Sequence, residues 1–246
     1  TWDSNDYANF VVKAIKAKTY SNKAKFVLTG TLGGFIPELT SSYVDDVYND
    51  SNWSFLVSLY PKAFPNATEV DGTLTSDYVV QFTGIQKVLE QTINEFTVTG
   101  SITADEATKF LASPKRTFVG AHRTNFTGAI RQQSDIKVNN FRVWQNKLTR
   151  DDLSLHASDP TNYSIKNPEQ NAFLFNHKLN EVYIPNKETL LLHWDYSTVT
   201  GSDAAGSFIV EDLTSGSVNQ ISRYKYLNNI SNKQFTGVGF GFATNS

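Results

Sequence analysis

The chain has no cysteine, which removes thiolate nucleophiles, cysteine-ligated zinc and disulfide stapling from its repertoire at once. Stability must therefore come from burial. Methionine is absent as well, and the sequence opens on Thr1-Trp2-Asp3-Ser4, neither an initiator nor a signal peptide, so it is expected to be an excised or processed fragment. No apolar run approaches the ~18–20 residues that a bilayer-spanning helix needs. Charge of one sign is scarce too: 22 Lys and Arg stand against 24 Asp and Glu, a formal net charge of -2. Such a balance offers no field that would gather nucleic acid or an anionic membrane onto the surface.

What the chain does have is aromatic side chains, with 17 Phe, 11 Tyr and 4 Trp among 246 residues, and a hydrophobic fraction of 39%. That content supports a buried core and leans toward sheet. The length admits one large β-sandwich or two modest domains.

The local pattern agrees. Phe10–Ile15 and Lys25–Gly30 read as strands around a polar turn; a helical reading of Tyr7–Lys18 lacks a C-cap. Trp53–Tyr60 is the clearest strand, and its period of two places Trp53, Phe55, Val57 and Leu59 on one face, expected to be core. Strands are expected at Asp77–Phe82, Asn94–Thr99, Arg116–Gly120, Ser134–Val138 and Asn140–Trp144, a spacing that suits antiparallel pairing without crossover helices. A short helix is expected to start at Thr149, with Asp151 and Asp152 at its positive end and Asp159-Pro160 closing it. A polar stretch, 164–170, reads as a linker, and β pattern resumes at Ala172–Phe175, Glu181–Ile184, Thr189–Tyr196 and Ser207–Val210.

The stretch Arg116–Tyr163 resembles the closing segment of concanavalin-A-like, laminin-G-like domains. Its Phe-Val-Gly-Ala strand and the run Ser134 to Trp144 are followed by Leu148, Thr149, Asp152 and Leu153, which match that family's Leu-Ser/Thr-x-x-Glu/Asp-Leu/Ile signature. Leu190–Tyr196 followed by Val210–Gly216 looks like the opening of another such domain. The resemblance implies an all-β, antiparallel jelly-roll sandwich over residues 1–163, with 1–40 either diverged or part of a preceding β element. A linker at 164–170 and a second, smaller β region over 171–246 would follow. The wording of Gly120–Gly128 and of Arg223–Leu227 is similar to segments of large virion structural proteins of tailed phages, especially those of marine bacteria.

Sandwiches of this class include glycoside hydrolases, whose chemistry needs two carboxylates roughly 5–10 Å apart across the scissile bond. The family's Glu-x-Asp-x-x-Glu strand motif is missing, and the pairs Asp45-Asp46, Asp151-Asp152 and Glu211-Asp212 are sequence neighbours, which on a strand point to opposite faces. They read better as turns or a helix start. His122, His156, His177 and His193 show no metal-binding spacing. No Gly-x-Ser-x-Gly elbow is present, and the Gly237–Gly241 run reads as strand or turn.

Two binding chemistries remain as candidates. Laminin-G-like domains bind calcium through scattered aspartates, for which Asp71, Asp77 and Asp135 are the candidate ligands; turn and strand-edge roles compete. A glycan would stack on an exposed aromatic ring and be read by planar polar groups, a mixture offered by His122, Arg123, Asn125 and Phe126; hydrogen bonds that merely stitch the loop compete. No other cofactor is expected. The resemblance points to a non-catalytic structural and interaction domain of a phage virion, in a tail, fibre or decoration component. It would be partnered by its own copies or other virion proteins and by host-surface glycans, with no nucleic acid and no membrane insertion. The alternative is a secreted or cell-surface carbohydrate-binding module.

Overall fold

The computed structural model describes residues 10–30, 36–63, 75–112, 117–123, 130–133, 136–165, 186, 189–199, 201–204 and 208–214. They form an all-β fold of antiparallel sheets with two short α-helices. The chain divides into two compact units, Thr1–Ile136 and Lys137–Ser246.

In the first unit, strands β1 (Phe10–Lys16), β2 (Ala24–Gly30) and β3 (Leu39–Thr40) make one three-stranded sheet in that order. The strand reading of residues 10–15 thus prevails over the helical one, because β1 pairs with β2 along its whole length, from Phe10 opposite Gly30 to Lys16 opposite Ala24. Strands β4 (Trp53–Pro61), β5 (Tyr78–Val88) and β6 (Gln91–Ile102) form a second three-stranded sheet with β5 in the middle. Both neighbours of β5 bring side chains to the same rows: Phe82 lies opposite Val57 on one side and Val98 on the other.

A single core joins these two sheets. Phe26 and Leu28 of β2, Leu39 of β3, Tyr78, Val80 and Phe82 of β5, and Ile102 of β6 are all buried in it. Tyr78, Val80 and Phe82, alternate residues of β5, face this core, as a period of two requires. Trp53, Val57 and Leu59 pack against it as the sequence pattern predicts. Phe55 stays 38% exposed because β4 is the edge of its sheet, although its ring meets Phe26 at 4.8 Å between centroids.

Phe26 is the centre of an aromatic cluster that spans both sheets. Its ring lies 4.6 Å from Trp53 and 5.7 Å from Phe96, and Phe96 in turn meets Phe82 edge-on at 5.0 Å. The rings fit because position 84 is glycine. A Cβ there would stand 2.3 Å from Phe96 Cε1 and 3.1 Å from Phe55 Cδ1, so the missing side chain is the space the cross-strand rings occupy. Gly100 does the same for Pro37, whose Cγ would be 2.7 Å from a Cβ.

Helix α1 (Ala104–Ala112) follows β6 directly and inserts Ala107 into the core. The sequence pattern predicts only the helix at Thr149, yet α1 begins with a capping box of its own. The Thr103 N–H donates to Glu106 Oε2 at 2.8 Å and the Glu106 N–H donates back to Thr103 Oγ1 at 3.3 Å. Strands β7 (Ala121–Arg123) and β8 (Ile130–Gln133) form a separate hairpin. The strand expected at Arg116–Gly120 is not formed over 117–120: Gly120 has φ 76°, a left-handed turn that ends extended backbone, and pairing starts one residue later.

The second unit holds β9 (Asn140–Trp144), α2 (Arg150–Ser158) and β10 (Leu190–Asp195), followed by one 3-10 turn at Tyr196–Thr198. Strands β9 and β10 pair antiparallel, Arg142 opposite His193 and Phe141 opposite Trp194. The two compact units meet at Ile136/Lys137, and β9 and β10, on either side of the stretch 164–170, share one sheet. Helix α2 starts as expected: Thr149 Oγ1 accepts the Asp152 N–H at 3.1 Å, and Asp152 Oδ2 accepts the Thr149 N–H at 2.7 Å. Leu148 and Leu153, on either side of this box, are buried. Residues 136–138 and 208–210, expected as strand, have no regular partner, and Ile136 and Ile209 are exposed. The strands expected at Ala172–Phe175 and Glu181–Ile184 lie outside the described residues.

Gly84→Ala is expected to destabilise the first unit by about 1–3 kcal/mol, because the displaced Phe96 ring is hemmed in by Phe26 and Phe82. Denaturant unfolding checks this. In a double-mutant cycle, Phe96→Leu should remove most of the added cost, and simple additivity would show that the two positions do not compete for space.

Candidate functional site

Of the residues singled out for glycan contact, His122 and Arg123 lie in strand β7 and not in a loop, paired opposite Gln132 and Ile130 with an irregularity between them. Asn125 and Phe126 lie outside the described residues, as do Asp71 and Asp135 among the calcium candidates. Asp77 is exposed at the start of β5; its carboxylate pairs with Lys62 at 3.6 Å and its carbonyl accepts the Lys62 N–H at 2.9 Å. Among the described residues no group of three or more His, Asp or Glu is placed to hold a metal ion.

The polar constellation that the fold does assemble is in the second unit, around Arg142. Cross-strand pairing sets Arg142 and His193 side by side on one face of the β9–β10 sheet. Arg142 Nη1 donates to the Asn162 carbonyl at 2.8 Å and Nη2 donates to the Pro160 carbonyl. The guanidinium also lies 4.7 Å over the Tyr163 ring. Tyr163 continues the chain of contacts, with its hydroxyl 2.9 Å from His193 Nδ1, and the His193 N–H donates to Asp212 Oδ1 at 2.9 Å. Burial lowers the Arg142 pKa, and Tyr163, Asp195 and Asp159 oppose that effect. Burial also raises that of Tyr163, keeping the phenol neutral. With its terminal nitrogens bound to backbone carbonyls, Arg142 acts as a clamp that ties the segment after α2 to the sheet.

His156 on α2 completes this region. Its ring stacks on Trp144 at 5.2 Å and 10°, and Nε2 is 3.2 Å from Ser164 Oγ. Burial first, then the nearby Arg142 charge, push its pKa down to about 4, against the pull of Asp152 and Asp159. Asp152 is shifted the ordinary way for a cap: burial works to raise it, and the hydroxyl and amide of Thr149 outweigh that and hold it below the usual carboxylate range. In the sequence this cluster shows as an arginine set between Phe141, Val143 and Trp144 in an expected strand, and as His156 and His193 without metal-binding spacing; nothing local joins them.

A cleft of about 420 Å³ lies in the first unit, lined by Tyr43, Val44, Asp45, Asp46, Gln86, Ile93 and Asn94. None of these belongs to the glycan or calcium sets read from the sequence. No family model matches the chain, and comparisons with curated proteins and with solved structures give no match.

The lowered pKa of His156 has a consequence for stability. An unfolded histidine takes up its proton near pH 6.5, the folded one only near pH 4. The unfolded state thus binds more protons between those values, and stability, complete above pH 6.5, is lost as the pH falls through this window. Thermal unfolding followed from pH 7.5 to 4 is expected to show a falling midpoint. His156→Phe, which keeps a ring against Trp144, is expected to flatten the dependence between pH 6.5 and 4; an unchanged slope would assign the effect to other groups.

Proposed function

We propose that the chain is a non-catalytic structural and interaction module of a tailed-phage virion, in a tail, fibre or decoration component, built on a concanavalin-A-like jelly roll. The observation that carries the interaction reading is β1. Its pattern Phe-Val-Val-Lys-Ala-Ile-Lys is apolar, yet Phe10, Val12 and Ile15 are exposed, and among the described residues the strand pairs with β2 alone. An apolar strand exposed on both faces at a sheet edge offers unpaired backbone and hydrophobic surface to another chain. In an assembled particle a neighbouring copy or another virion protein would cover it.

The jelly-roll part of the proposal is supported by the Leu148-Thr149-x-x-Asp152-Leu153 segment. Every residue of that signature contributes physically, since Leu148 and Leu153 are buried and Thr149 and Asp152 form the capping box between them. A second reading, a secreted or cell-surface carbohydrate-binding module, is favoured by the cleft beside the exposed Tyr43. Host-surface glycans would be contacted by the virion module too, so the two readings share glycan contact and differ in where the chain resides.

Mass spectrometry of purified particles separates them, with peptides of this chain expected in stoichiometric amounts; their absence from particles would overturn the virion reading. Incorporation of a Val12→Lys chain is expected to fall sharply while its own thermal unfolding is unchanged, because Val12 is exposed in the isolated chain.

A further inference from the structure

We infer that the cleft at the β5–β6 end of the first unit is a saccharide-binding site for a neutral or amino pyranose, with Tyr43 as the stacking ring and Gln86 and Asn94 as the groups that read hydroxyls. This rests on the glycan-contact part of the proposed function and moves it from the β7–β8 hairpin to a different place.

The first support is a break in the binary pattern. Phe82, Gly84 and Gln86 share one face of β5, and Phe96 and Asn94 share the matching face of β6, since Gly84 is paired with Phe96 and Gln86 with Asn94. That face is the core face. It is filled by apolar side chains through Phe82 and by rings over Gly84, then turns polar at Gln86 and Asn94. Polar groups at inward positions are a departure from the rule that governs the rest of the strand, and such departures concentrate at functional sites.

The second support is the backbone. The register of β5 and β6 shifts beyond Gln86, where Lys87 pairs with Thr92, so Ile93 is an extra residue in β6 beside Asn94. A bulge there twists the strand end and turns Ile93, 54% exposed, onto the cleft. Opposite, the segment after β3 is pinned by a bridge between Ala24 and Val44, with N–H to carbonyl distances of 3.0 and 2.8 Å in the two directions. Both walls are therefore held by sheet hydrogen bonds.

The third support is the chemistry of the lining. Tyr43 is 47% exposed, and its ring is restrained by the Lys25 ammonium 5.8 Å from its centroid. Asn94 Nδ2 donates to Gln86 Oε1 at 2.6 Å. This leaves the Gln86 amide hydrogens as donors and the Asn94 carbonyl oxygen as an acceptor on two bonded side chains, groups that read hydroxyls. Asp45 is engaged by Lys23 at 3.1 Å. Asp46, at φ 56°, is a second acidic residue of the lining, and two carboxylates there favour hydroxyls or an ammonium over uronic and sialic acids. The cleft, at about 420 Å³, has the volume of a small-ligand site, and it is open with a lining more polar than apolar, as suits a hydroxyl-rich ligand held at the surface.

The test is an array of neutral, amino, uronic and sialylated oligosaccharides probed with the full chain, followed by titration calorimetry on whichever neutral or amino sugar binds. Tyr43→Ala and Asn94→Ala are each expected to weaken binding at least tenfold without moving the thermal midpoint. Tyr48→Ala, an exposed tyrosine outside the cleft, is expected to leave it within twofold. No binding, a preference for acidic sugars, or full affinity in both cleft variants would overturn the site. If binding instead disappears with Arg123→Ala, the glycan reading survives and the cleft proposal fails; absence of the chain from particles bears on the virion reading alone.

Discussion

Phe26 reaches from β2 across to the facing sheet and meets Trp53, Phe55 and Phe96 within 6 Å of its ring centre. The first unit depends on this contact. A chain without cysteine has no covalent link between sheets, and β3, with only two residues, adds little backbone pairing to the β1–β2 hairpin. What keeps the two sheets face to face is the burial of these rings together with Leu28, Leu39, Val80 and Phe82. Large rings give much buried area per residue but pack in few ways. Gly84 supplies the gap that makes one of those ways accessible, so a residue with no side chain decides how the largest ones are arranged.

The second unit reaches order by another route. Its sheet has two strands among the described residues, too few to enclose rings between layers. Here Arg142, aimed at the Pro160 and Asn162 carbonyls and stacked over Tyr163, fixes the segment after α2, and Trp144 stacks on His156 of the helix itself. Directional bonds act here beside pairwise ring contacts such as Phe141 with Trp194. They also make this unit sensitive to protonation in a way that the ring cluster of the first is not, because removing water from His156 favours only its neutral form.

Strand existence was legible wherever period and composition coincided, as in β4, and the α2 cap was legible because Thr149 and Asp152 are close in sequence. The α1 cap has the same Thr-x-x-Glu spacing at Thr103 and Glu106, but a strand runs straight into it and masks the helical period. Other features depend on pairings that no local window contains. The role of Gly84 needs Phe55 and Phe96 on either side of it, and the clamp at Arg142 needs the Pro160 and Asn162 carbonyls from about twenty residues downstream. Sugar-reading residue types cluster in the sequence at His122, Arg123, Asn125 and Phe126. The residues lining the cleft are instead drawn from three separate stretches, around 43–46, at 86 and at 93–94, and only the register of β5 with β6 brings the last two together.

That register links the core to the cleft. Gln86 and Asn94 are two residues beyond Gly84 and Phe96 on the same rows, so their positions are set by how the rings behind them pack. A recognition surface built this way is held by the most tightly packed part of the unit and not by loop conformation alone. The amide pair, tied by its own hydrogen bond, has less side-chain freedom to lose when a ligand is bound than the exposed Tyr43 and Ile93 do. The same coupling constrains change: a substitution that shifts Phe96 to improve packing also moves the amide pair two residues away, and the core cannot vary independently of the site it supports.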